Sequence, residues 1–150
     1  MRTPKAVPVL LRVIQERVEV LMFEHPLAGA QLVKGTVEPG ESVSEAAVRE
    51  LAEESGLQHA RCTRDLGTWE QCPASQVWHF REMLVEQELP ESWSHFTTDG
   101  GGHTFSFFWH KLHEPAPPSC HPVFVGALRF LRAQLSDRHP NTFALRTDAA

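Results

Sequence analysis

Cysteine is scarce in this chain. Only Cys62, Cys72 and Cys120 occur among 150 residues, far apart and without CxxC spacing. That count and scatter exclude a disulfide framework and the usual thiolate zinc site, and suggest reduced thiols in a cytoplasmic protein. Long apolar runs are also missing. VPVLLRVI, near the start, is too short to span a bilayer and charges soon follow it, so it reads as a core strand, with no signal segment and no membrane partner expected. Positive charge is in deficit, with 14 Lys and Arg against 19 Asp and Glu and a net charge of −5. A chain of that balance is poorly suited to gripping long nucleic acid by its phosphates. Small phosphorylated ligands stay open, because a bound cation could supply the missing positive charge. Neither an internal repeat nor a dividing linker is present, and 41% hydrophobic with 22% charged residues suits one globular domain.

The apolar pattern then sets the elements. Val7 to Ile14 and Val18 to Phe23 are rich in β-branched residues, and QER between them can turn, which predicts a hairpin. HPLAGA (25–30) reads as a loop and residues 31–33 as a short strand. Ser42 to Ser55 is the best helix: Ser42 and Glu45 match the capping box, Val43, Ala47 and Leu51 form one stripe, and Gly56 sits where a left-handed C-cap belongs. Arg61 to Gln71 and Gln76 to Glu86 alternate as strands, Leu89 to His103 reads as a polar loop, Thr104 to Leu112 as an aromatic strand, and Val123 to Leu135 as a helix. This order predicts an α/β fold with a mixed sheet and helices packed on it. Residues 1–138 form the domain, and 139–150 read as a loosely held tail.

The chemistry concentrates in GTVEPGESVSEAAVRELAEESGL (35–57). Spacings of three and four place Glu50, Glu53 and Glu54 on one helix face, away from the apolar stripe, where like charges repel. They also lie toward the helix C-terminus, where the macrodipole disfavours anions. Simple solvation does not need that arrangement, whereas a divalent cation offsets it. Carboxylate oxygens with waters and a substrate phosphate suit Mg²⁺ or Mn²⁺, not zinc. Gly35 and Gly40 bracket a bend able to bring backbone close to a ligand.

Gly35, Glu41 and the run Arg49-Glu50-Leu51-Ala52-Glu53-Glu54-Ser55-Gly56-Leu57 together match every defined position of Gx5Ex7REUxEExGU, where U is a bulky apolar residue. The stretch resembles the Nudix box. The resemblance implies a Nudix fold, an α/β/α sandwich, and hydrolysis of a nucleoside diphosphate linked to another group X. It implies that Glu53 and Glu54 bind Mg²⁺ (Mn²⁺ possible), that Glu50 is a further ligand or the nearby base, and that the Lys34 carbonyl can join the metal. Arg49 beside these acids, with Glu41, would hold the loop-helix-loop in shape, and Gly35, Glu41 and Gly56 are structural members of the motif. Family members differ in which glutamate takes the proton, so Glu50, Glu53 and Arg49 are the catalytic candidates.

The substrate is less legible. Pro73 stands 16 residues after Leu57, a spacing similar to the marker of ADP-ribose-type members. LVKG before the box is similar to the LPKG of some dinucleoside polyphosphate and RNA-end hydrolases, with Val33 in place of proline. Trp78 and Phe80 are weak substrate-binding candidates, among aromatics that also include Trp69, Trp93, Phe105, Phe107, Phe108 and Trp109. Glu88, Glu91 and Asp99 could supply a later acid, and DGGG (99–102) a lid. The partner is then a small nucleotide-type compound, with an RNA 5′ end as the only nucleic acid in view. A nucleotide-binding module without turnover is the alternative class. A protein-interaction domain, using the aromatic strand as an exposed edge, is a third.

Overall fold

The computed structural model describes residues 2–72 and 75–138. The strands are β1 (Thr3–Val9), β2 (Leu11–Ile14), β3 (Arg17–His25), β4 (Gly29–Gln31), β5 (Gly35–Thr36), β6 (Arg61–Trp69), β7 (Gln76–Leu84), β8 (Trp93–Thr97) and β9 (His103–Lys111), and the helices are α1 (Val43–Ser55) and α2 (Pro122–Arg138). One sheet runs β5-β1-β7-β6, and it is mixed because β1 and β7 are parallel while their other neighbours are antiparallel. The second runs β2-β3-β9-β8, with β4 added on β3.

Helices cover both faces of this layer. Val7, Val20, Met22, Trp78 and Phe80 pack toward Phe124, Leu128 and Leu131 of α2. Ala6, Leu21, Phe23, Phe105 and Phe107 pack toward Ala46, Ala47 and Leu51 of α1. Consecutive residues of β3 thus enter opposite cores, which is why VEVLMF reads as an apolar run with little alternation. The α/β/α sandwich expected from the sequence is the fold observed.

Three local expectations change. The single strand over 7–14 breaks at Leu10: β1 joins one sheet and β2 the other, and the Leu10 carbonyl accepts from Leu21 N at 3.0 Å. An unbroken apolar run cannot reveal such a switch. The short strand sits at Gly29–Gln31, partly inside the expected loop, because His25 pairs with Gly29 to close a tight hairpin. The polar loop over 89–103 contains β8, whose Trp93, Ser94, His95, Phe96 and Thr97 pair with β9.

That missed strand helps to seat the active helix. Trp93 stacks on Phe107 with ring centroids 5.1 Å apart. Its indole N–H donates to the Ser55 carbonyl at 3.0 Å, satisfying an acceptor left over at the end of α1. Gly56 follows in the left-handed region at φ 81°, and a Cβ there would lie 2.7 Å from His95 Nδ1. Gly56→Ala combines left-handed strain with that clash and is expected to cost about 1–3 kcal/mol. Urea unfolding at an unchanged midpoint would contradict this.

Candidate active site

The N-terminus of α1 is built as the sequence suggests. Ser42 Oγ accepts from Glu45 N at 3.0 Å, and Glu45 Oε1 accepts from Ser42 N at 2.8 Å. The loop before the helix is then tied to it by Arg49. Its Nε and Nη2 donate to the two oxygens of Glu41 at 2.8 and 2.9 Å, and Nη2 also donates to the Thr36 carbonyl at 3.0 Å. Its Nη1 reaches Glu50 Oε1 at 2.8 Å and Glu53 Oε2 at 3.5 Å. One planar guanidinium therefore joins the loop, the bend and two of the three acids, a task suited to its fixed fork of donors.

Charge follows from this wiring. The Arg49 hydrogen bonds, with a further bond from Glu38 N, hold the Glu41 carboxyl down at about 2. The Arg49 guanidinium is held more firmly protonated in return. Because the Glu41 value lies below the ordinary 4.5, its stabilisation is present above about pH 4.5 and is lost as the pH falls toward about 2. Glu41→Gln should therefore flatten the fall in urea midpoint between pH 5 and pH 3. Parallel loss in wild type and variant would overturn the assignment.

The acidic face is not a solvent face. Glu50 and Glu54 are each only 8% exposed and share the buried side of α1 with Ala46, Ala47 and Leu51, so these two acids are not set apart from the apolar stripe as the spacing suggested. Burial is the main force raising the Glu50 carboxyl, with the Glu53 charge adding to it, while Arg49 and a hydrogen bond with Glu54 pull the other way. Glu53 differs, with a side chain 42% exposed. Gly35 lies directly beneath Glu50: a Cβ there would land on Glu50 Cγ, Cδ and Oε1. The G that opens the motif thus answers a steric demand made by Glu50, the first acid of the REUxEE run.

Glu50, Glu53 and Glu54 line one cleft of about 510 Å³, together with Lys5, Lys34 and Arg49. Lys5 Nζ donates to Thr36 Oγ1 at 2.7 Å. Lys34 is half-buried, and that burial, followed by repulsion from Lys5, lowers its ammonium from the ordinary value. Among the described residues, no three acidic, histidine or cysteine side chains converge on a single point. The acids nevertheless have the chemistry of a hard-cation site, since carboxylate oxygens are hard ligands and Glu50 and Glu54 are buried. Cations and carboxylates facing one cleft are suited to a phosphate anion bridged to a divalent ion.

The other candidates separate clearly. Glu88 and Glu91 do not line the cleft, and Glu91 instead pairs with Arg12 at 2.6 Å. Gly100 of the expected lid does line it. Pro73 and the side chain of Asp99 lie outside the described residues. Phe80 is core, while Trp78, 1% exposed, borders a second pocket that shares Lys34 with the cleft. Phe105 and Phe107 are core as well, while Phe108 and Trp109 of the same strand are half-buried. Sequence reasoning missed the side chains of Lys5 and Lys34. Lys34 is flagged only by being a lone cation after an apolar pair, and Lys5 by nothing.

The loop-helix-loop and the sandwich that carries it define the class. The NUDIX domain profile matches residues 2–132, and the chain belongs to the Nudix family, whose enzymes hydrolyse diphosphate bonds. A sequence search of curated proteins finds no match. By structure, the chain is similar to an Ap4A hydrolase of C. elegans, at 18% identity and TM-score 0.58, covering 90% of this chain and 99% of that one. It is similar to a UDP-X diphosphatase at 13% identity and TM-score 0.62, covering 93% of this chain and 65% of that one. An ADP-ribose pyrophosphatase from Streptococcus suis is also similar, at 18% identity and TM-score 0.56, covering 89% and 92%. At these identities the likeness establishes the fold. No helix among the described residues is long and apolar enough to cross a membrane.

Proposed function

We propose that this Nudix hydrolase is Mg²⁺-dependent, with Mn²⁺ as a substitute, and cleaves a small nucleoside diphosphate linked to a group X. The observation that carries the reading is the single cleft lined by Glu50, Glu53 and Glu54 together with Lys5, Lys34 and Arg49. Glu53, Glu54 and the Lys34 carbonyl are the atoms assigned to the cation. Once bound, the cation supplies neutralisation of the diphosphate oxygens and acidification of a water.

The remaining steps belong to the chain. Glu50 accepts the proton of the attacking water, since burial raises its proton affinity and a better base results. Arg49 keeps that carboxylate aimed. Lys5 and Lys34 face the phosphates and hold them in line for attack. Water adds to phosphorus, the bridging P–O bond breaks, and the other phosphate leaves still carrying its own substituent, the nucleoside or X.

The acidic net charge favours a free nucleotide or nucleotide sugar over an RNA 5′ end. Ap4A, UDP-X and ADP-ribose, named for the three similar structures, are all compounds of that kind. Three free thiols fit a cytoplasmic setting. The test is hydrolysis with Mg²⁺ and then Mn²⁺ across dNTPs, ADP-ribose, nucleotide sugars, dinucleoside polyphosphates and 5′-triphosphorylated RNA. Metal-dependent turnover of one small-nucleotide class is expected. Tight binding of a compound with no turnover anywhere would replace the hydrolase with a binding module.

A further inference from the structure

A second pocket, of about 310 Å³, opens beside the catalytic cleft, and Lys34 lines both. Its size lies near the lower end of cavities that hold small molecules, roughly 300–1,000 Å³. One wall is aromatic. Lys34 Nζ stands 5.5 Å from the Trp78 ring centroid and 6.0 Å from that of Phe124. The boundary between the two cavities is therefore a cation, with carboxylates on one side and two nearly buried aromatic side chains on the other. A nucleotide has the matching order: an anionic phosphate at the cation, and a neutral planar base beyond it.

The polar groups of this pocket have defined directions. The Trp78 indole N–H can only donate, and it does so to Gln76 Oε1 at 2.9 Å. The free end of that amide is therefore its NH₂ group. The backbone N–H of Val123 donates to His121 Nδ1 at 3.1 Å. That nitrogen must be unprotonated, so Nε2 carries the hydrogen of the neutral ring. Gln76, His121 and Lys34 all line the pocket, and each has a donor left to offer.

We propose that this pocket seats the substrate's nucleobase and selects bases with a carbonyl oxygen, not an amino group, at the 6-position of a purine or the 4-position of a pyrimidine. The proposal rests on the hydrolase reading of the neighbouring cleft for its link to catalysis. Donors at the wall meet the oxygen of guanine or uracil, while the amino group of adenine or cytosine would set donor against donor.

Calorimetric titration of the protein in Mg²⁺ with UMP, CMP, GMP and AMP tests it. UMP should bind at least about tenfold more tightly than CMP, and GMP than AMP, the usual scale for one base-edge contact. Gln76→Glu keeps an oxygen for the Trp78 indole and exchanges one donor for an acceptor, so the preference within each pair should fall, with His121 and Lys34 left as donors. Any repulsion of phosphate by the new charge cancels within a pair. Gln76→Leu, a second variant, should weaken the difference. Equal affinities within both pairs, no binding of any of the four, or an unchanged preference in both variants would overturn the proposal. Monophosphate binding requires no turnover, so the two readings fail separately. Base preference without hydrolysis would remove the hydrolase reading alone, and hydrolysis without base preference would remove the pocket assignment alone.

Discussion

Glu50→Gln is expected to leave the protein folded and to lower kcat by about 10²–10⁴-fold at saturating Mg²⁺, the usual contribution of a positioned acid–base group. The substitution preserves the oxygen that accepts from Arg49 at 2.8 Å, so the loop and helix stay joined. What it removes is the proton acceptor. Glu53→Gln should behave differently, because Glu53 is more exposed, is held by Arg49 only at 3.5 Å, and is assigned to the cation. Its main effect should be to raise the Mg²⁺ concentration at half-maximal rate by at least about tenfold, the scale on which metal sites respond to lost partners. Steady-state kinetics at several Mg²⁺ concentrations separate the two. Full turnover by Glu50→Gln at high Mg²⁺ would remove the base assignment, and unchanged Mg²⁺ dependence in Glu53→Gln would remove the ligand assignment.

Gly35→Ala should be nearly as damaging, and for a steric reason. The added methyl would occupy the space held by the Glu50 carboxylate and its Cγ. Glu50 cannot simply swing aside, since Arg49 binds it and also binds Glu41 and the Thr36 carbonyl. Displacing the base from its place costs activity out of proportion to the size of a methyl group, on the order of 10²-fold for a shift of about 1 Å. Overpacking of this kind also destabilises by about 1–3 kcal/mol. Activity with a saturating substrate and urea unfolding would both report it. Wild-type values in both would show that the loop yields and that Glu50 does not depend on Gly35.

The contrast between α1 and its surroundings explains how much could be read from sequence. Capping box, apolar stripe, left-handed Gly56 and acidic spacing are all local, and each depends on residues within one helical turn or its cap. They were legible for that reason. The partners that complete the site are distant in the chain: Lys5 comes from β1, Gly100 from the turn before β9, and Trp93 reaches the end of α1 from β8. Such contacts leave no spacing signal. β8 itself was hidden because its ladder partner is β9 and its own residues, WSHFT, are mostly polar. The break at Leu10 was hidden for the opposite reason, since both sides of it are apolar. Trp78 and Phe80 look alike in sequence, two residues apart on one strand, yet only Trp78 borders the pocket beside the cleft. The tail, residues 139–150, lies outside the described residues.

The central claim is that Glu50, Glu53 and Glu54 are crowded on α1 because a divalent cation completes them. Mn²⁺ titration followed by electron paramagnetic resonance, on the wild type and on a Glu53→Gln, Glu54→Gln double variant, tests it most directly, since it needs neither a known substrate nor turnover. The account predicts one Mn²⁺ site per chain in the wild type and an affinity at least about tenfold weaker in the variant. Equal Mn²⁺ affinity in the two proteins, or no bound Mn²⁺ in a wild type that still hydrolyses nucleotides, would contradict it.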